Sequence, residues 1–214
     1  MAQPDLPQFP GPEPGRGPAP KARPGVVTVA VLLQYATAAV LILAGISLFA
    51  LKDPVADGLR DFLPQSEGWD DLPQAEQTDI LNNLASVIGV FATIAFIILA
   101  VFAAVHVILA IFNSKGKNPA RILSWITSAI MLACCGLGSL SEVLGGDTPP
   151  TDAAAVQQQA AAEKIDELIP AWVNGVWWLA LIMSTLGALL IIIFLALPKA
   201  NEFFRKEQPQ HPYM

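Results

Sequence analysis

The chain has 214 residues, of which 54% are hydrophobic and only 14% are charged, and its formal net charge is −6. Soluble domains carry about a quarter charged residues, so this composition excludes an ordinary soluble domain. The acidic balance also argues against a nucleic-acid partner, because such a partner is held mainly by Lys and Arg side chains.

Four long stretches contain no Asp, Glu, Lys or Arg: residues 26–51, 84–112, 122–140 and 171–197. A membrane-spanning helix needs about 20 apolar residues, and barrel strands would alternate in polarity, which these stretches do not. The sequence predicts an all-α membrane protein. The predicted architecture is a four-transmembrane-helix bundle (26–198) with short external helices and a disordered N-terminal tail. The spans are about 26–51, 84–112, 120–141 and 171–197.

The first 25 residues contain eight prolines and few apolar side chains, which predicts a disordered proline-rich tail. Pro4, Pro7 and Pro10 form two overlapping P-x-x-P matches. These prolines are candidates for docking a proline-binding domain. A solvated tail without a partner is the simpler interpretation, since such short matches are common in proline-rich sequence.

Loop charges predict the orientation in the membrane. The N-terminal tail, the short loop 113–121 and the C-terminal tail 199–214 hold most of the basic residues. Residues 52–83 carry eight acidic residues against two basic ones, and residues 141–170 carry six against one. Because basic residues stay in the cytoplasm, we expect both termini inside, loops 52–83 and 142–170 outside, and a location in the cell membrane.

Proline positions suggest where the helices begin and end. Asp53 followed by Pro54 resembles a cap and first helical residue, so we expect a separate short amphipathic helix that ends at Pro64. The helix of the second span is expected to begin near Pro73 and to run to Phe112, about 60 Å. Part of it should project outside the membrane.

The second half of the chain shows two similar signals. Asn118 and Pro119 repeat the cap-then-proline pattern, so the third helix is expected to begin there and to end near Ser141. The apolar stripe that starts at Ile165 runs into the fourth span, which Pro170 can kink without ending.

Four tryptophans lie near the predicted membrane boundaries. An interfacial belt explains their positions, because the amphipathic indole ring favours the headgroup level. A ligand cage is the alternative. The four anchors are Trp125, Trp172, Trp177 and Trp178.

Both cysteines, Cys134 and Cys135, lie side by side within the third span. No other cysteine exists to form a disulfide with them, and a metal site would need two more ligands. Close packing of small residues is the simpler interpretation, within the bundle or between protomers of a homo-oligomer. The candidate packing face consists of Ser128, Cys134, Cys135, Gly138 and Ser139.

His106 is the only histidine within the four stretches that lack Asp, Glu, Lys and Arg. Gln34 lies at a similar depth on the same side, so we predict a hydrogen bond between these two residues across helices 1 and 2. The alternative is that the pair lines a path for a solute or a proton.

No phosphate-binding glycine loop, metal signature or nucleophile motif is present, so we expect no cofactor, no metal and no enzyme activity. The sequence favours an accessory or scaffold protein of the cell membrane that contacts the lipid bilayer and another membrane or cytoplasmic protein. A small transporter or channel subunit is the alternative.

The segments PGPEPGRGPAPKARPGVVTVAVLLQY and KGKNPARILSWI resemble those of small, uncharacterised four-helix membrane proteins of actinobacteria with a proline-rich N-terminal tail. The resemblance covers the general layout of the chain and implies no activity.

Overall fold

The computed structural model describes residues 22–66, 68–136 and 153–205, and these residues form helices and no strand. The α-helices are α1 (Gly25–Phe62), α2 (Gln74–Ser114), α3 (Asn118–Met131), α4 (Ala153–Leu168), α5 (Ala171–Ile182), α6 (Ala188–Ala196) and α7 (Pro198–Phe204). A 3-10 turn, Leu63–Gln65, follows α1. Two π turns, Leu132–Gly136 and Met183–Gly187, extend α3 and join α5 to α6.

Helix α2 begins and ends close to the residues expected for the helix of the second span. It begins at Gln74, directly after Pro73, and its 41 residues end at Ser114. The chain then turns through Gly116, whose φ of 68° lies in the left-handed region that glycine adopts without strain. At 1.5 Å per residue, α2 is about 60 Å long, twice the hydrocarbon thickness of a bilayer.

The expected helix break at Asp53 and Pro54 is wrong. Helix α1 continues through Pro54, and Asp53 caps nothing there. An interior proline costs roughly 3 kcal/mol because it removes a hydrogen bond and crowds the preceding turn. Leu51 and Ala56 are buried on either side of Pro54, so packing holds both halves of α1 in one helix despite that cost.

The helix boundaries expected from Pro119 and Pro170 agree with the structure only in part. α3 begins at Asn118 with Pro119 in its first turn, but no side chain caps it. Helix α4 ends at Leu168, and Pro170 lies just before α5, so the helix is interrupted there. The predicted end of the third helix near Ser141 lies outside the described residues.

In the part of the chain that the structure describes, three helices are long and apolar enough to cross a membrane: residues Gly25–Gln65, Gln74–Ser114 and Ala171–Ala196. Their exposed large apolar side chains form a belt that runs from Val29 to Phe49 in α1 and from Val87 to Phe112 in α2. The α1 part covers about 20 residues, roughly 30 Å at 1.5 Å per residue, which matches the hydrocarbon thickness. Such a belt is unusual on a soluble protein.

Helices α1 and α2 are antiparallel and pack along most of their lengths, with α3 and α6 completing the core. At one end, a cluster of buried side chains joins α1, α2, α6 and α7 through Val27, Ala110, Leu195 and Phe204. At the other end, Arg60 Nη2 donates to the Leu81 carbonyl oxygen at 3.2 Å. Among the described residues, the basic side chains Arg23, Lys115, Lys117, Arg121 and Lys199 therefore lie near one end of the bundle, and most of the acidic side chains lie near the other.

Candidate functional site

Three polar side chains from three helices meet inside the bundle. Gln34 Nε2 donates to Ser124 Oγ at 2.8 Å, and Asn113 Nδ2 lies 2.7 Å from Ser124 Oγ and 3.1 Å from Gln34 Oε1. Ser124 Oγ in turn donates to the Ala120 carbonyl oxygen at 2.8 Å. All three side chains are at most 1% exposed. We call Gln34, Asn113 and Ser124 the amide triad; it joins α1, α2 and α3.

The predicted bond between Gln34 and His106 is wrong, because the structure gives each residue other partners. His106 Nδ1 lies 2.9 Å from the Phe102 carbonyl oxygen one turn earlier in α2. Since a carbonyl oxygen only accepts, Nδ1 carries the proton, and Nε2 is left as an acceptor. His106 and Asn113 are two helical turns apart on one face of α2, and Gln34 meets Asn113, the residue nearer the basic end.

Arg121 lies on the same buried face of α3 as Ser124, about one turn nearer the basic end. Its Nη1 donates to Asn201 Oδ1 of α7 at 2.9 Å. Its guanidinium stacks on Trp125 at 4.6 Å and on Phe204 at 5.5 Å from the ring centroids. The residue is only 8% exposed. Sequence reasoning counted Arg121 as a loop charge and missed this environment.

The four predicted tryptophan anchors divide into two groups. Trp172 and Trp178 are each 60% exposed and extend outward from α5, as interfacial anchors would. Trp177 instead turns inward, and its Nε1 donates to Ser47 Oγ at 3.0 Å. Trp125 is half-buried beneath Arg121, with its Nε1 buried and unbonded.

The predicted packing face of small residues is only partly described. Ser128 is buried on the face of α3 that also carries Ser124. Cys134 is exposed and forms no disulfide. The side chain of Cys135, as well as Gly138 and Ser139, lies outside the described residues. The candidate docking residues Pro4, Pro7 and Pro10 also lie outside them.

A cavity of about 630 Å³ opens between α1, α2, α3 and α5, next to the place where the two π turns lie against each other. Its described lining is almost entirely apolar, with Cys134 and Ser184 as exceptions. π turns are frequent at functional sites. The cavity can therefore hold an apolar group but offers few polar contacts to orient it.

Two further buried polar atoms of the core lack a hydrogen-bond partner: Asn113 Oδ1 and Ser128 Oγ. In the described residues no group of three His, Cys, Asp or Glu side chains could hold a metal ion.

Comparisons with protein-family models, with curated proteins and with solved structures found no match to this chain.

Proposed function

We propose that this chain is a non-enzymatic multi-pass protein of the cell membrane that serves as an accessory or scaffold protein. In this proposal α3 is the fourth span, both termini lie in the cytoplasm and the acidic end lies outside. The separation of basic and acidic residues to opposite ends supports the orientation, because basic residues are retained on the cytoplasmic side.

One observation carries the proposal. The apolar belt ends at Phe49 in α1 and begins at Val87 in α2, yet both helices continue together beyond it. This extension is about 13 residues in each helix, roughly 20 Å at 1.5 Å per residue. Anchoring in lipid does not require it, so it supports a role in contacting another molecule.

Helix α4 packs against the α1 part of this extension. A Cβ placed on Gly58 of α1 would overlap the side chain of Leu168, so the two helices are in close contact. We use the name acidic projection for the outer parts of α1 and α2, the loop that connects these two helices, and α4. Its charge favours a partner with a basic surface. Its described acidic residues are Asp53, Asp57, Asp61, Asp70, Asp71, Glu76, Asp79, Glu163, Asp166 and Glu167.

A small transporter or channel subunit is the second candidate, with His106 and Gln34 lining a path. The unbonded Asn113 Oδ1 and Ser128 Oγ favour it, because buried polar atoms without partners can receive a passing solute or water. The amide triad weighs against it, since Gln34 is held by Asn113 and Ser124.

The test is gentle purification from native membranes, followed by mass spectrometry of co-purifying proteins. Three forms are compared: the full chain, a form lacking residues 1–22, and a form with Asp57, Asp61, Asp166 and Glu167 changed to the corresponding amides. We expect a stoichiometric partner that survives loss of the tail and is lost on neutralisation. A partner lost with the tail instead assigns docking to Pro4, Pro7 and Pro10.

Absence of any stoichiometric partner, together with solute flux in liposomes that Gln34→Leu abolishes, would replace the scaffold proposal with the transport one. Thermal unfolding of each form in detergent serves as the folding control.

A further inference from the structure

Arg121 carries a buried charge that no acidic side chain neutralises. The ion pairs within 4.0 Å among the described residues are Lys52–Asp53, Arg60–Asp57 and Lys164–Glu167, and none includes Arg121. Its single hydrogen bond goes to the neutral Asn201. Burial of a charge without a counterion is costly, and stacking on two rings offsets only part of that cost.

One nitrogen of the guanidinium can reach a ligand from outside the bundle. Nη1 is occupied by Asn201, and Nε is fully buried without a partner. Nη2 makes no hydrogen bond among the described residues and is not among the fully buried unpartnered atoms. A guanidinium N–H donates readily to a phosphate oxygen, so Nη2 is the atom that an anion can contact.

Among the described residues, the loop before α3 and helix α7 carry three lysines, Lys115, Lys117 and Lys199, and one acidic residue, Glu202. Ile122 and Leu123, the two residues after Arg121, are exposed apolar side chains. The loop that carries Lys115 and Lys117 lies against α7, since a Cβ on Gly116 would approach Phe203 Cε1 to 3.2 Å. Lys199 is also on α7.

We propose that Nη2 of Arg121 binds the phosphate of an anionic phospholipid headgroup, in a site between α3 and α7. With α3 as a membrane span, the exposed apolar side chains that start at Ile122 place Arg121 near the level of the headgroup phosphates. A zwitterionic lipid brings its own cation next to the phosphate, so the surrounding lysines favour a lipid with net negative charge. The proposal requires that the chain lie in a bilayer, and it does not depend on any protein partner.

The experiment uses the full chain purified in a neutral detergent and titrated with dioctanoyl phosphatidylglycerol, dioctanoyl phosphatidylcholine or inorganic phosphate. Native mass spectrometry measures lipid retention, and the midpoint of thermal unfolding measures stabilisation. We expect the wild type to bind phosphatidylglycerol more tightly than phosphatidylcholine. Arg121→Gln should weaken phosphatidylglycerol binding about tenfold, the loss typical of charge-assisted hydrogen bonds. Lys164→Gln, which removes one charge at the opposite end of the bundle, is the control and should change binding less than about twofold.

A second variant keeps the proposal testable if Arg121→Gln does not fold. Asn201→Asp places a carboxylate at the atom that already accepts from Nη1, so it neutralises Arg121 internally and should reduce phosphatidylglycerol binding to a similar degree. Wild-type affinity in both variants would overturn the proposal. An equal loss in Lys164→Gln would also overturn it, in favour of a diffuse effect of net charge. Equal stabilisation by inorganic phosphate at the same concentration would assign the site to a soluble anion instead.

Discussion

The side-chain nitrogen of Asn113 lies 2.7 Å from the hydroxyl oxygen of Ser124, which joins α2 to α3 in the buried core. Gln34 of α1 bonds to both residues, so this contact holds three helices together at one level. In a bundle whose helices also face lipid, hydrogen bonds of this kind supply part of the association energy that the hydrophobic effect does not.

We expect the members of the amide triad to be energetically coupled. A double-mutant cycle of Gln34→Leu and Asn113→Leu should give a coupling of about 0.6–2 kcal/mol in the free energy of unfolding in detergent. The matched cycle of Gln34→Leu and His106→Leu should give a coupling close to zero, because His106 bonds to the Phe102 carbonyl instead. Stronger coupling in the second cycle than in the first would contradict the observed pairing.

The continuous helix through Pro54 leads to a second prediction. Pro54→Ala restores an interior hydrogen bond, so it should raise the free energy of unfolding by about 1 kcal/mol or more. Pro64→Ala is the control, because Pro64 lies in the first positions of a 3-10 turn, where its missing donor costs little. If Pro54 instead began a separate helix, both substitutions would leave stability unchanged or lower it.

The contact between α1 and α4 can be tested at Gly58. Gly58→Ala forces the end of the Leu168 side chain to move. We therefore expect it to be less stable than Gly89→Ala, which gains the same helix propensity, by roughly 1 kcal/mol, and to show faster amide hydrogen exchange across α4. Gly89→Ala is the control, since a Cβ at Gly89 meets nothing within 4 Å. Adding Leu168→Ala to Gly58→Ala should restore part of the stability. Unchanged exchange in α4 would mean that α4 does not pack on Gly58.

The adjacent residues Trp177 and Trp178 provide a matched pair. Trp177→Phe removes the donor to Ser47 Oγ, so it should lower the free energy of unfolding by about 1 kcal/mol. Trp178 is largely exposed, and Trp178→Phe should change stability by less than about 0.5 kcal/mol. Chemical unfolding in detergent measures both values. Equal effects would show that Trp177 has no special place in the core.

The sequence predicted helix type and helix length better than side-chain partners. The start of α2 after Pro73 was predictable, because a local backbone restriction determines it. Pro54 was misleading, because the packing of Leu51 and Ala56 outweighs the local preference. Local propensity therefore gave the wrong boundary where tertiary contacts hold both sides.

Depth in the membrane also proved insufficient to identify partners. His106 and Asn113 share one face of α2, and either could meet Gln34 until the relative height of α1 and α2 is known. Asn113 lies just beyond the charge-free stretch 84–112, so it was not considered among the polar residues of the predicted span. A signal was available, since seven residues separate it from His106, the spacing of one helix face.

The most direct test of the account is the sidedness of the two ends of the bundle. In a variant with Cys134→Ser and Cys135→Ser, single cysteines replace Asp70, at the acidic end, and Lys117, at the basic end. Intact cells are then treated with a membrane-impermeant maleimide. The account predicts that the cysteine at position 70 is labelled in intact cells and that the one at position 117 is labelled only after permeabilisation. Labelling of both positions from outside, or of position 117 alone, would contradict the proposed topology.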